Sequence, residues 1–305
     1  MSFYSGTASN YIDLFKTILD KMQLNGWTLI ECNGNASSPT TADLNLTPTN
    51  STVENRSYLQ STGHSTVDAW QIDLFTYQNS ATGMYNIVFK CGVYNVAGDT
   101  TWLPSLVGNW QCITCWDNVS NYWININVGR MMITNRIGSA YYFGYCGYFY
   151  PFANPSQYIA PLISIGQGAN YNTAIYTQGL KSLSRSSTAS YSATVMSHVQ
   201  TNLNGHGNSA SVGIVPFRNE SNLAVYSGSH PPLKIYGEDA YELFECIVVH
   251  SSAERGYLDG VRQVSSVDNT NEAIITDQSG EEWLCFGQHQ SIANSQMYAI
   301  SKENI

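Results

Sequence analysis

Apolar residues at Tyr11, Leu14, Phe15, Ile18 and Met22 recur at intervals of three and four, the period of one helix face. Ser9 or Asn10 supplies a cap and Asn25-Gly26 a stop, so the pattern predicts an amphipathic helix over 10–24. Trp27 to Cys32 reads as a strand. The stretch 33–66 is polar, with too few apolar positions for a core element, and reads as a functional loop or arm.

From Ala69 the pattern turns to short strands: AWQIDLFT, YNIVFKCGVY, then NYWININ and MMITNRI joined as a hairpin around Val128-Gly129-Arg130. Ala140 to Phe149 continues the sheet, and 166–211 is a second polar excursion. Strand signals return at Val212 to Phe217, Leu223 to Tyr226 and Tyr241 to His250. EAIIT and EWLCFG pair across the turn DQSGE, and MYAIS closes the chain. The expected fold is mainly β, a β-sandwich or packed small sheets with one N-terminal helix and long polar loops. The segments are 1–165 (helix plus β domain), 166–211 (polar linker) and 212–305, a C-terminal β region that stands alone or completes the same sheet system.

The run YYFGYCGYFYPFANPSQYIAPL, Tyr141 to Leu162, departs from ordinary core composition. Aromatics alternate with glycine and are then halted by Pro151, Pro155 and Pro161. This reads as a strand to Tyr150 followed by an extended exit that meets another subunit. The candidate subunit-interface residues are Tyr148, Tyr150, Pro151, Phe152, Pro155, Tyr158 and Pro161.

Composition narrows the partners. Only 11% of the 305 residues are charged, against about 25% in typical soluble domains. The net charge of −9 repels a phosphate backbone, so nucleic acid is not an expected partner. No apolar run approaches the roughly 20 residues of a membrane span, and MSFYSGTASNY lacks the features of a signal peptide, so a soluble protein is expected. A surface rich in Tyr, Ser, Asn and Gly has the physics of a paratope, which favours binding over catalysis.

Candidate chemistry is sparse. Cys112-x-x-Cys115 has no second pair to complete a zinc site, and on a strand its thiols point to opposite faces, so both read as structural. His64, His198, His206, His230, His250 and His289 share no local motif. GQGAN at Gly166 lacks the Lys and helix of a phosphate loop. Glu238-Asp239 and Glu281-Glu282 sit at turns, and Asp73 and Asp117 lie near aromatics in a weak echo of a sugar-hydrolase cleft. No cofactor, metal site or catalytic residue is expected.

Three segments resemble a family of tailed-bacteriophage virion structural proteins encoded among tail and baseplate genes. The first is VGRMMITNRIGSAYYFGYCGYFYPFANPSQYIAPL, Val128 to Leu162. The second is SSAERGYLDGVRQVSS, Ser251 to Ser266, with Gly256, Leu258, Asp259, Gly260 and Val261 as a turn into a strand. The third is the closing hairpin around EEWLCFGQ, and the helix leading into NGWTL is also similar. The resemblance implies a non-enzymatic virion component of the tail or baseplate, assembled in the host cytoplasm. It would be present in several copies, homo-oligomeric, with its N-terminal arm and polar loops ordered against other virion proteins. The alternatives are a host-surface carbohydrate recognition protein of the tail-fibre type and a head or neck decoration protein.

Overall fold

The computed structural model describes residues 2–47, 52–61, 70–79, 84–93, 111–152, 161–166, 196–201, 205–206, 212–215, 243–250, 253–265, 270–287 and 296–302. The expectation at Leu223 to Tyr226 lies outside them. The protein is mainly β, with antiparallel sheets and an N-terminal helix.

The helix α1 (Tyr11–Leu24) forms where the period-3.6 pattern places it. Asn10 is its cap, its side chain accepting from the backbone N–H groups of Ile12 and Asp13. Gly26, at φ +88°, carries the chain out in a conformation that favours glycine. Leu14, Phe15, Ile18, Leu19 and Met22 are fully buried, each contributing roughly 1.5–3 kcal/mol.

The strands are β1 (Ser2–Ala8), β2 (Thr28–Cys32), β3 (Thr52–Ser61), β4 (Trp70–Asn79), β5 (Met84–Val93), β6 (Gln111–Cys115), β7 (Ser120–Asn127), β8 (Arg130–Ile137) and β9 (Ala140–Pro151). They continue with β10 (Pro161–Ile165), β11 (Met196–Thr201), β12 (Gly205–His206), β13 (Val212–Val215), β14 (Phe244–His250), β15 (Ala253–Ser265), β16 (Ile274–Thr276), β17 (Glu282–Gly287) and β18 (Gln296–Ser301). A five-stranded sheet runs β2-β3-β4-β5-β6. A larger sheet follows the path β1-β7-β8-β9-β15-β18-β17-β16, with β10 to β14 branching from it.

The strand β9 explains how these parts pack. Its residues Tyr142 and Cys146 belong to the core shared with α1 and the five-stranded sheet. Tyr141, Phe143, Tyr145 and Phe149 point the other way, into a core built with Leu258, Val261, Phe286, Tyr298 and Ile300. Both faces of its middle stretch are therefore dry, with Phe143 and Tyr145 on one and the small Gly144 and Cys146 on the other. At Gly144 a Cβ would come within 2.7 Å of Ile113 Cδ1. The larger sheet curls so that β7 and β8 face β17 and β18: Trp123 and Phe286 ring centroids are 5.0 Å apart, and the Thr134 and Tyr298 hydroxyls hydrogen-bond at 3.0 Å.

Four expectations are corrected. The stretch 33–66 is not only a loop: β3 pairs on both sides, Leu59 opposite Leu29 and Ile72. Its polar core positions are satisfied instead of absent, since buried Asn55 accepts from Asn45 N at 2.6 Å and donates to Asn45 O at 3.0 Å. The N-terminal residues are not a free arm, because β1 pairs with β7 along its whole length. Within 166–211, β11 pairs with β10, so backbone hydrogen bonding recruits part of that polar stretch to the sheet. The Asp259-Gly260 step is a bend inside the single strand β15, not a turn before a strand: residues 256–258 pair with β9 and 261–265 with β18.

Candidate subunit interface

The site grows from the turn between β7 and β8. The indoles of Trp27 and Trp70, 4.7 Å apart and edge-on, donate to Asn127 O at 2.9 Å and Val128 O at 3.1 Å. Ser61 also donates to Val128 O, and Gly129 O accepts from Tyr148 N at 2.8 Å. Three elements from the five-stranded half thus grip one turn of the larger sheet.

Arg130 follows directly, with its side chain fully buried. It pairs with Asp259, and its Nη2 donates to Asn125 Oδ1 at 3.1 Å. Asn125 in turn donates to Ser301 O at 2.7 Å, tying the closing strand to the same joint. Gly260, at φ +65°, lies against the guanidinium, and a Cβ there would collide with it. Burial works against the charge of Arg130, and the Asp259 carboxylate is the counter-ion in direct contact with it.

Outside this joint lies the seam between β9 and β15, where Tyr150 pairs with Tyr257 and Pro151 with Gly256. A side chain at Gly256 would meet Tyr150 O, so close strand approach requires glycine. The rings of Tyr150 and Phe152 sit 5.2 and 5.9 Å from that of Tyr257, forming a short aromatic ladder. Phe152 is 52% exposed, and Arg262 lies over the Tyr257 ring at 6.0 Å.

Of the candidate interface residues, Tyr150, Pro151 and Phe152 share this seam. Tyr148 packs inward against Trp70, 5.6 Å away and edge-on. Pro161 does not lie on an extended exit: it opens β10, which returns antiparallel along β9 with Leu162 opposite Tyr148. Leu162 to Ile165 are all buried, which favours that return over departure. Pro155 and Tyr158 lie outside the described residues. Sequence reasoning missed Tyr257 and Arg262, although the flanking Gly256 and Gly260 were a legible sign of close approach.

The acidic candidates do not converge. Asp73 is buried and gripped by Arg56 through contacts of 3.2 and 2.7 Å, whereas Asp117 is exposed in the turn after β6. Burial raises the Asp73 pKa and Arg56 opposes that shift. Glu281 offers its N–H to Asp277, and Glu282 pairs with Lys302 at 2.7 Å. Glu238-Asp239, His64, His230 and His289 lie outside the described residues, and the side chains of His198, His206 and His250 outside the described ones. Cys112 and Cys115 are buried, unpaired thiols. Among the described residues, no group of three or more His, Cys, Asp or Glu could hold a metal ion, and no helix is long and apolar enough to cross a membrane.

A scan against protein-family models and a search of curated proteins both find no match to this chain.

Proposed function

We propose that this chain is a non-enzymatic structural component of a tailed-phage virion, placed in the tail or baseplate in several copies and bound to neighbouring virion subunits. The observation that carries the reading is the Arg130 joint. Gly129-Arg130 and Leu258-Asp259-Gly260, from two separate segments of the resemblance, meet in one buried contact. A second support is the seam beside it, where Tyr150, Pro151 and Phe152 offer ring area and few charges to a protein neighbour.

Antibody labelling of intact purified particles tests the reading. Label at a fixed place on the tail or baseplate is the expected result, and label on the head or neck selects the decoration alternative. Absence of the chain from purified particles, with the chain present in the lysate, overturns the proposal. The exposed Phe152 ring beside Tyr257 also favours sugar stacking as a second reading. A glycan array with no signal above background removes it.

A further inference from the structure

In the core between the five-stranded sheet and the larger one, two thiols from different sheets meet over one hydroxyl. Cys91 comes from β5, Cys146 from β9 and Ser164 from β10, and all three are buried. The Ser164 Oγ hydrogen-bonds with Cys91 Sγ at 3.2 Å and with Cys146 Sγ at 3.3 Å. Cys91 Sγ also donates to Ile163 O at 3.7 Å. Register accounts for the arrangement: Ser164 stands opposite Cys146 in the β9–β10 pair, and Cys91 reaches that pair from the other sheet.

The two sheets approach closely at this point. Facing sheets ordinarily stand about 10 Å apart. Two residues before Cys146, a Cβ at Gly144 would come within 2.7 Å of Ile113 Cδ1. Two residues after Ser164, a Cβ at Gly166 would lie 2.7 Å from Cys112 O and 2.8 Å from Cys112 N, the backbone of β6. Glycine at both places lets β9 and β10 lie directly on the other layer. A disulfide requires Cα atoms roughly 4.4–6.8 Å apart, a span that strands of different layers offer only where packing is this close.

Among the described residues, no other two cysteines share a partner in this way. Cys112 and Cys115 sit an odd number of residues apart on β6 and point to opposite faces. Cys32 accepts from Ser57 Oγ at 3.5 Å, and Cys246 and Cys285 belong to two other cores. Burial, and after it the neighbouring Cys91, raise the Cys146 thiol well above its ordinary value. It stays protonated and reacts slowly while the core is closed.

We propose that Cys91 and Cys146 are a reversible disulfide site that locks the five-stranded sheet to the larger sheet in an oxidising medium. The two S–H bonds break and one S–S bond forms. A small disulfide, oxidised glutathione, accepts the two electrons and with the two protons leaves as two thiols. Exchange passes through a mixed disulfide at one cysteine that the second resolves, and local opening of the core sets its rate. The bond ties together strands that are distant in sequence, which restricts chiefly the unfolded chain. In the reduced chain all seven cysteines are free thiols. The site is a property of the isolated chain and does not rest on the virion reading.

The test incubates the purified full chain overnight in native buffer with oxidised glutathione. The chain is then denatured, its remaining thiols are alkylated, and its peptides are mapped by mass spectrometry. Five alkylated cysteines are expected, two fewer than the seven of the reduced control, with a linked peptide joining Cys91 to Cys146. The thermal midpoint of the oxidised chain is expected to rise by roughly 5 °C, and dithiothreitol is expected to reverse both changes. Seven alkylated cysteines after oxidation, a glutathione adduct left on either residue, or a linkage between any other two overturns the proposal. A linked chain whose thermal midpoint does not rise keeps the site and overturns the lock.

Discussion

The guanidinium of Arg130, at the start of β8, pairs with the carboxylate of Asp259, at the bend of β15. Arg130 is wholly buried while Asp259 keeps 22% of its side-chain surface exposed. The pair sits where β15 leaves β9 and takes up β18. One charge thus holds the strand at the point where it changes neighbours.

Removing Asp259 alone strands that charge. Asp259→Leu alone is expected to lower unfolding free energy by about 3–5 kcal/mol, and the double change Arg130→Met with Asp259→Leu by clearly less than the sum of Arg130→Met and Asp259→Leu made singly. Chemical denaturation of the three variants reads the coupling. Gly260→Ala is expected to destabilise as well, because φ +65° and the adjacent guanidinium both oppose a Cβ. Additive single effects would show that the pair does not act as a unit.

Asp277 governs the closing hairpin in acid. Burial raises its pKa, but this is outweighed by donors from Ser279, Glu281 and Trp283, so the carboxyl titrates below its ordinary value. These contacts are 2.6–3.0 Å long. A folded pKa below the unfolded one contributes stability above the unfolded value, near 3.9, and loses it as pH falls through the folded pKa. Asp277→Asn is therefore expected to be less stable at neutral pH and to show a shallower loss of thermal midpoint on acidification. Parallel acid profiles for the two proteins would refute this.

The thiols are expected to be inert in the folded chain. Burial pushes Cys112 and Cys285 up to about 12, and Cys115 and Cys246 higher still. At pH 8 an aromatic disulfide reagent should find no reactive cysteine until denaturant is added, and then seven. Stoichiometric native labelling of Cys112 or Cys115 would remove their reading as structural thiols.

The elements legible in the sequence were those whose order is local. The helix over Tyr11–Leu24 announces itself by period and cap, and the β7–β8 hairpin by alternation about Val128-Gly129. The strand β3 was hidden because its core positions include Asn55 and Ser57, polar residues that become tolerable only when partners on neighbouring segments, Asn45 and Cys32, satisfy them. The strand β1 was hidden by Gly6, whose missing side chain Tyr122 replaces from the next strand. At the candidate site, Tyr150, Pro151 and Phe152 stood out by composition, but Tyr257 did not, since what marks it is the pairing across the seam.

By itself, then, the sequence determined the β class, the N-terminal helix and the place of the aromatic-glycine strand in the sheet. Period, capping and turn chemistry act over a few residues and can be read along the chain. Only the tertiary structure decided that β10 returns along β9, that β15 bends at Gly260 and that Arg130 finds Asp259 there. Those outcomes depend on which distant strands share hydrogen bonds and which buried charge meets its counter-ion, and no local pattern records either choice.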